Sequence, residues 1–410
     1  MHNINAFFKL RAKELNYSNK DIAEQLSLST SYVSQIFNGK KTIQKERTLK
    51  KFIHFFKCNF NINASFEKHL GEYMHAVFYM DPDRLDKYDL ILSYTSSLHN
   101  THYYIDILLV QFIQSVLSRN YDENHKIILS KLLFIIGFLD GNTQKLFYTF
   151  YFRSLDDQKS HAKAEEIFLK ANSIECNNPD TNMMLNYFGF AFPWSNNRLS
   201  KDLDCYQKCK QYCEKTNNTL KLFNIEIKYA MFLGNNGDIQ GEINQELKLL
   251  RWLEDQQSIN NKEILLNNIA YAYSLLHHYE EALKYYIPLL EYLKDNDIYF
   301  NIAWCYYQLG LPKLALDYIK IGSNAPSRIS FYYLLLEWLK AMIQKKYSQK
   351  SFDILSTILE QYKDDMSLDS YQFILIELYN YYHYHQKTKE MSAINKELSK
   401  KPVLTNTFII

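Results

Sequence analysis

The sequence predicts an all-α chain, with a small N-terminal bundle followed by stacked helix pairs. Three observations predict it. The 410 residues include only 10 Gly and 7 Pro, which leaves few turn residues and argues for helices joined by short loops. Residues 18–41, SNKDIAEQLSLSTSYVSQIFNGKK, carry two short apolar stripes at helical spacing, broken by a turn. The segment NIAYAYSLLHHYEEALKYY, from Asn268, aligns without a gap on NIAWCYYQLGLPKLALDYI, from Asn301, at an offset of 33 residues.

In the first of these segments Ile22, Ala23 and Leu26 form the apolar stripe of one short helix. Leu28 ends the turn, and Val33 and Ile36 repeat the stripe on a second helix that stops at Asn38-Gly39. Ala23 is small where the two helices must touch. Thr30, Ser31, Tyr32, Ser34 and Gln35 are left on the outer face of the second helix, the face that can lie in a major groove. From Ser18-Asn19 to Asn38-Gly39-Lys40-Lys41 the spacing resembles the phage-repressor-like (xenobiotic-response-element) helix-turn-helix family, over about the first 57 residues. Asn19 departs from the longer Gln usual in that family. The resemblance implies that Thr30, Ser31, Tyr32 and Gln35 approach base edges, while Asn19, Asn38, Lys40 and Lys41 hold phosphates and set the register.

Charge agrees with that expectation. Residues 1–57 hold eleven Lys and Arg against four acids, a net +7, where the whole chain is +2 and the remainder therefore −5. A basic head on a mildly acidic body is the footprint of phosphate attraction confined to one domain.

In the body, Asn268 matches Asn301, Ala270 matches Ala303, Tyr273 matches Tyr306 and Ala282 matches Ala315. A period near 34 residues with small residues at helix crossings resembles the tetratricopeptide repeat, and Gly310-Leu311-Pro312 reads as the turn inside the later pair. Elsewhere the repeat is degenerate. Asn224 to Gly234 restarts it, Ala164, Phe168 and Ala171 look like the second helix of another pair, and 331–362 and 370–399 each read as a further pair. Residues 65–140 are helical by pattern without a repeat assignment. The expected organisation is a helix-turn-helix domain over 1–60, a helical connector over 61–75, and a right-handed tetratricopeptide-repeat solenoid over 76–410 that binds a peptide and dimerises.

In a tetratricopeptide array the first helix of each pair faces the hollow, and the resemblance puts Asn268 and Asn301 on that face. An amide can both donate to and accept from the backbone of an extended peptide. Asn224, Asn267, Tyr271, Trp304, Tyr307 and Gln308 belong to the same inward set, giving aromatics beside amides.

Other classes are argued against. No GxGxxG or phosphate-loop motif is present, and no paired carboxylates or nucleophile motif points to an enzyme. No cofactor or metal is expected. Cys205, Cys209 and Cys213 make one slanting row on a helix and read as packing residues; the six Cys form no dense disulfide pattern. His277-His278 and His383-Tyr384-His385 lack a second ligand at a recognised spacing. The longest strongly apolar run, Leu132 to Leu139, is too short to span a bilayer, and no signal peptide is visible, so a cytoplasmic protein is expected.

A repressor-type head followed by a tetratricopeptide body resembles the RRNPP family of bacterial peptide-pheromone receptors, and the phage arbitrium receptors share the architecture. The resemblance implies a homodimer on double-stranded DNA whose operator contains an inverted repeat, with DNA affinity set by a short signalling peptide in the solenoid. The alternative is a regulator that docks or sequesters a partner protein without sequence-specific DNA binding.

Overall fold

The computed structural model describes residues 4–79, 87–255, 261–326, 331–363 and 366–399, and these residues contain helices and no strand. The chain divides into two compact units, residues 1–225 and 226–410.

The first unit opens with four short helices, α1 (Ile4–Glu14), α2 (Asn19–Leu26), α3 (Thr30–Phe37) and α4 (Glu46–Phe55). Their ends are written in the sequence. Ser18 caps α2 in a reciprocal box with Asp21, and Ser29 caps α3 by accepting from the Tyr32 amide. Between them Ser27 takes a left-handed conformation, φ 51°, which makes the tight turn. Ile22, Ala23, Leu26, Val33 and Ile36 are buried, as the apolar stripes require. Phe8 packs at a tilt on Phe52 and stacks on Phe56, at 5.0 and 5.4 Å between ring centroids, and gathers α1 and α4 into one core.

The unit continues with α5 (Ala64–Tyr79), α6 (Lys87–Ser93), α7 (Thr95–Leu98), α8 (Tyr104–Leu117) and α9 (Glu123–Ile135), then a 3-10 turn at Ile136–Phe138. Helix pairs follow: α10 (Gly141–Asp157) with α11 (His161–Ser173), and α12 (Pro179–Gly189) with α13 (Arg198–Thr216). Ala164 and Ala171 are fully buried where α11 lies on α10. Helix α14 (Thr219–Asn235) runs across the division between the units.

The second unit holds α15 (Ile239–Asp255) and the pairs α16 (Lys262–Leu275) with α17 (Tyr279–Leu289), α18 (Asn296–Gln308) with α19 (Pro312–Gly322), α20 (Tyr332–Gln344) with α21 (Gln349–Tyr362), and α22 (Leu368–Tyr384) with α23 (Thr388–Leu398). Ala270, Ala282, Ala303 and Ala315 are all fully buried, so the small residues of the repeat do sit where helices cross. Trp304 of α18 lies 5.8 Å from Trp338 of α20, and Phe373 of α22 meets both edge-on. One aromatic core thus joins three successive pairs. Stacked helix pairs of this kind are tetratricopeptide-like.

Candidate recognition face and cavity

On α3 the outer side chains Thr30, Ser31 and Asn38 are exposed, and so are Lys40 and Lys41 just beyond it. Tyr32 and Gln35 are half-buried along the same helix, as is Asn19 at the start of α2. The face is locally ordered. The Gln35 amide donates to Ser31 Oγ at 3.4 Å, the Asn38 amide donates to Ser34 Oγ at 3.2 Å, and Lys41 Nζ lies 5.6 Å from the Tyr32 ring. The amides of Lys40 and Lys41 both donate to the Gln35 carbonyl, and Asn5 donates to the Lys41 carbonyl. The basic turn therefore has a fixed path out of the helix.

Not all of the head's positive charge is on that side. Lys9 lies over the rings of Phe134 and Phe138, at 4.8 and 4.1 Å, and Lys13 lies over Phe134 at 4.2 Å. Arg11 Nη1 donates to Glu14 and to Nε2 of His99. Three of the eleven basic residues thus meet the following helices of the first unit. Reading the whole +7 as a phosphate footprint overcounts it: an aliphatic-stemmed cation packs on an aromatic ring as readily as it meets a phosphate.

The second unit contains a cavity of about 350 Å³. Its walls come from α16 (Asn267, Tyr271, Ser274), α17 (Tyr279, Tyr286), α18 (Phe300, Asn301, Trp304), α20 (Tyr332, Leu335) and the start of α22 (Asp369, Ser370, Phe373). The Tyr271 hydroxyl donates to Asp369 Oδ2 at 3.1 Å, joining α16 to α22. Burial pushes the Asp369 carboxyl above its usual range, and the Tyr271 bond works against that rise. A wall of rings with amides, hydroxyls and carboxyls set into it is the make-up of a site for a small organic or peptidic ligand, and the volume suits a few residues of chain.

Of the inward residues named from sequence, the cavity brings together Asn267, Tyr271, Asn301 and Trp304. Asn268 is turned aside, its amide donating to Oε1 of Glu246 on α15 at 2.9 Å. The Tyr307 ring lies tilted beside Trp304 at 5.8 Å without lining the cavity, Gln308 is exposed, and Asn224 belongs to the first unit. Sequence reading missed Tyr332, Asp369 and Phe373. They sit on the first helices of the last two pairs, where the repeat is too degenerate to number.

The three cysteines Cys205, Cys209 and Cys213 are buried along α13, and burial pushes the Cys213 thiol up to about 11. Among the described residues no three His, Cys, Asp or Glu are grouped so as to hold a metal ion, and no helix is long and apolar enough to cross a membrane.

Comparison with known proteins bears on both halves. Residues 8–62 match the helix-turn-helix family. The N-terminal head is a helix-turn-helix domain. No curated protein matches the chain in sequence. Among solved structures, the apo form of RapI superposes with a TM-score of 0.65 at 13% identity, covering 82% of this chain and 98% of RapI. The apo form of the quorum sensor NprR from B. thuringiensis gives 0.61 at 15% identity, covering 84% and 100%. Aspartyl phosphate phosphatase F from Bacillus subtilis gives 0.55 at 14% identity, covering 86% and 98%. The chain thus joins a helix-turn-helix head to helices that share the fold of RapI and NprR.

Proposed function

We propose that the chain is a cytoplasmic DNA-binding transcription regulator whose operator affinity is set by a short peptide held in the cavity of the second unit. The observation that carries this reading is the coexistence of two sites in one chain. One is an exposed, capped recognition helix with Lys40 and Lys41 at its exit; the other is an aromatic, amide-lined cavity between stacked repeats. That NprR, which has this fold, is a quorum sensor supports it. In this reading the protein is a homodimer whose two heads meet successive major grooves about 34 Å apart on an inverted repeat. Thr30, Ser31, Tyr32 and Gln35 read base edges, while Asn19, Asn38, Lys40 and Lys41 hold phosphates. Peptide binding shifts the trunk between two states that differ in peptide affinity, with a coupling of about 1–3 kcal/mol.

The test is an operator titration. A duplex enriched by the full-length protein from a random pool is compared with unrelated duplex DNA. Thr30→Ala combined with Gln35→Ala should lose affinity for the enriched duplex alone; equal loss on both duplexes removes the base-reading assignment. Calorimetry against a synthetic library of short peptides tests the cavity, where Trp304→Ala should abolish binding.

The engagement of Lys9, Arg11 and Lys13 away from the recognition face favours a second reading, in which the head is a docking surface for a partner protein. Added salt separates the two. A steep fall in duplex affinity supports DNA reading, and no retention at low salt supports docking.

A further inference from the structure

The head is not on a loose tether. Glu14, at the end of α1, accepts from three groups. Lys131 Nζ of α9 donates to its Oε1 at 2.7 Å, the Tyr104 hydroxyl of α8 donates to the same oxygen at 2.9 Å, and Arg11 donates to its Oε2 at 2.6 Å. Lys131 also donates to the Tyr104 hydroxyl at 2.9 Å, closing a ring of three groups from three helices. Arg11 and Glu14 keep only 11% and 16% of their side-chain surface. Arg11 reaches on to His99 Nε2 at 2.9 Å, just beyond α7. A second attachment lies at the other end of the head. Gly39, the left-handed residue that ends α3, lies so close to the Phe138 ring that an added Cβ would sit 3.4 Å from it. Domains joined by a small polar contact swing freely by default. Here both α1 and the exit of the recognition helix rest on the α8–α9 hairpin and the turn after it.

We propose that Glu14 and Lys131 are positioning residues for DNA reading: they clamp the helix-turn-helix to α8 and α9, so that the recognition helix moves with the first unit as one body. This rests on the DNA-binding reading above. Its consequence is that the clamp fixes the distance between two heads, and hence the spacing of operator half-sites that the protein accepts.

Two measurements on the full chain test it. In the first, wild type, Lys131→Met and Lys131→Arg each select from a pool of random duplexes. Wild type and Lys131→Arg should enrich an inverted repeat with a single spacer, and Lys131→Met should enrich the same half-site with spacers spread over several base pairs. A merely structural loss would weaken all sites without broadening the spacer, and a single unchanged spacer in Lys131→Met overturns the proposal. In the second, amide exchange is followed in α1 with no DNA present. Lys131→Met and Glu14→Gln should each speed exchange there about tenfold while α10 to α13 are unaffected. Unchanged α1 exchange in both overturns the clamp. If no duplex is enriched, the DNA-reading proposal fails by itself, and if a lone half-site is enriched only the homodimer reading fails; in either case exchange alone decides whether the clamp exists.

Discussion

Asn268 and Asn301 are equivalent by alignment, yet they meet different partners. Asn301 lines the cavity, while Asn268 donates to Glu246, a carboxyl with no solvent exposure whose other oxygen has no partner among the described residues. Burial, with Glu242 nearby, pushes Glu246 up to about 8, and the Asn268 bond pulls against that. Asn268→Ala should therefore cost about 1–3 kcal/mol of trunk stability in urea, because it leaves a buried carboxyl with neither oxygen bonded. Asn301→Ala should change stability by less than about 0.5 kcal/mol and instead weaken peptide binding in calorimetry. The repeat alignment made Asn268 and Asn301 legible as a matched pair. It could not separate them, because the residue that captures Asn268 lies on a preceding helix outside the aligned segment. Asp369 was illegible for the same kind of reason, since it reaches Tyr271 across 98 positions of sequence.

At the level of helix pairs one turn geometry recurs. Lys159, His277, Gly310, Tyr347 and Gln386 all have positive φ, and each lies in the short turn between the two helices of a pair. Only one of the five is Gly. The left-handed region costs a residue with a Cβ about 1–2 kcal/mol, offset in part by the greater chain entropy that Gly loses on folding. Lys159→Gly and Gln386→Gly should each raise stability by about 0.5–1 kcal/mol, read as a higher urea midpoint at unchanged slope. Gly322→Ala should go the other way. Its Cβ would come within 2.6 Å of Tyr299 Cβ and 3.0 Å of Leu336, so α18, α19 and α20 would have to spread, at a cost of about 1–3 kcal/mol. The Gly310-Leu311-Pro312 turn could be read from sequence because glycine and proline mark it. The turn at His277 could not, because packing of the flanking helices imposes its backbone against local preference.

For the whole chain, all-α architecture, the head and the stacked pairs followed from low Gly and Pro content, the two apolar stripes and the 33-residue offset. Attachment of the head was hidden. Lys9 and Lys13 look the same in sequence whether they face phosphate or Phe134, and the glutamate that receives Lys131 is 117 residues away from it. The second unit also carries a pH dependence of its own. Burial raises Glu242 and Glu377 to about 7 and Glu246 to about 8, with further help to Glu242 from Asp369 and to Glu246 from Glu242. The folded unit then holds these protons where the unfolded chain has released them, so its stability falls as pH rises from the ordinary carboxylate range through those values. Tryptophan emission reports mainly this unit, which contains Trp252, Trp304 and Trp338, and its melting temperature should drop between about pH 5.5 and about pH 8.5. A flat profile would mean that these carboxyls are paired in solution. The cavity walls add a last consequence. Because α16 and α22 already touch through Tyr271 and Asp369, a guest seated there leans on four helix pairs at once and works as a clasp. A protease nick in the loop between α17 and α18 would then leave two fragments that stay together while the guest is present and drift apart once it is washed out.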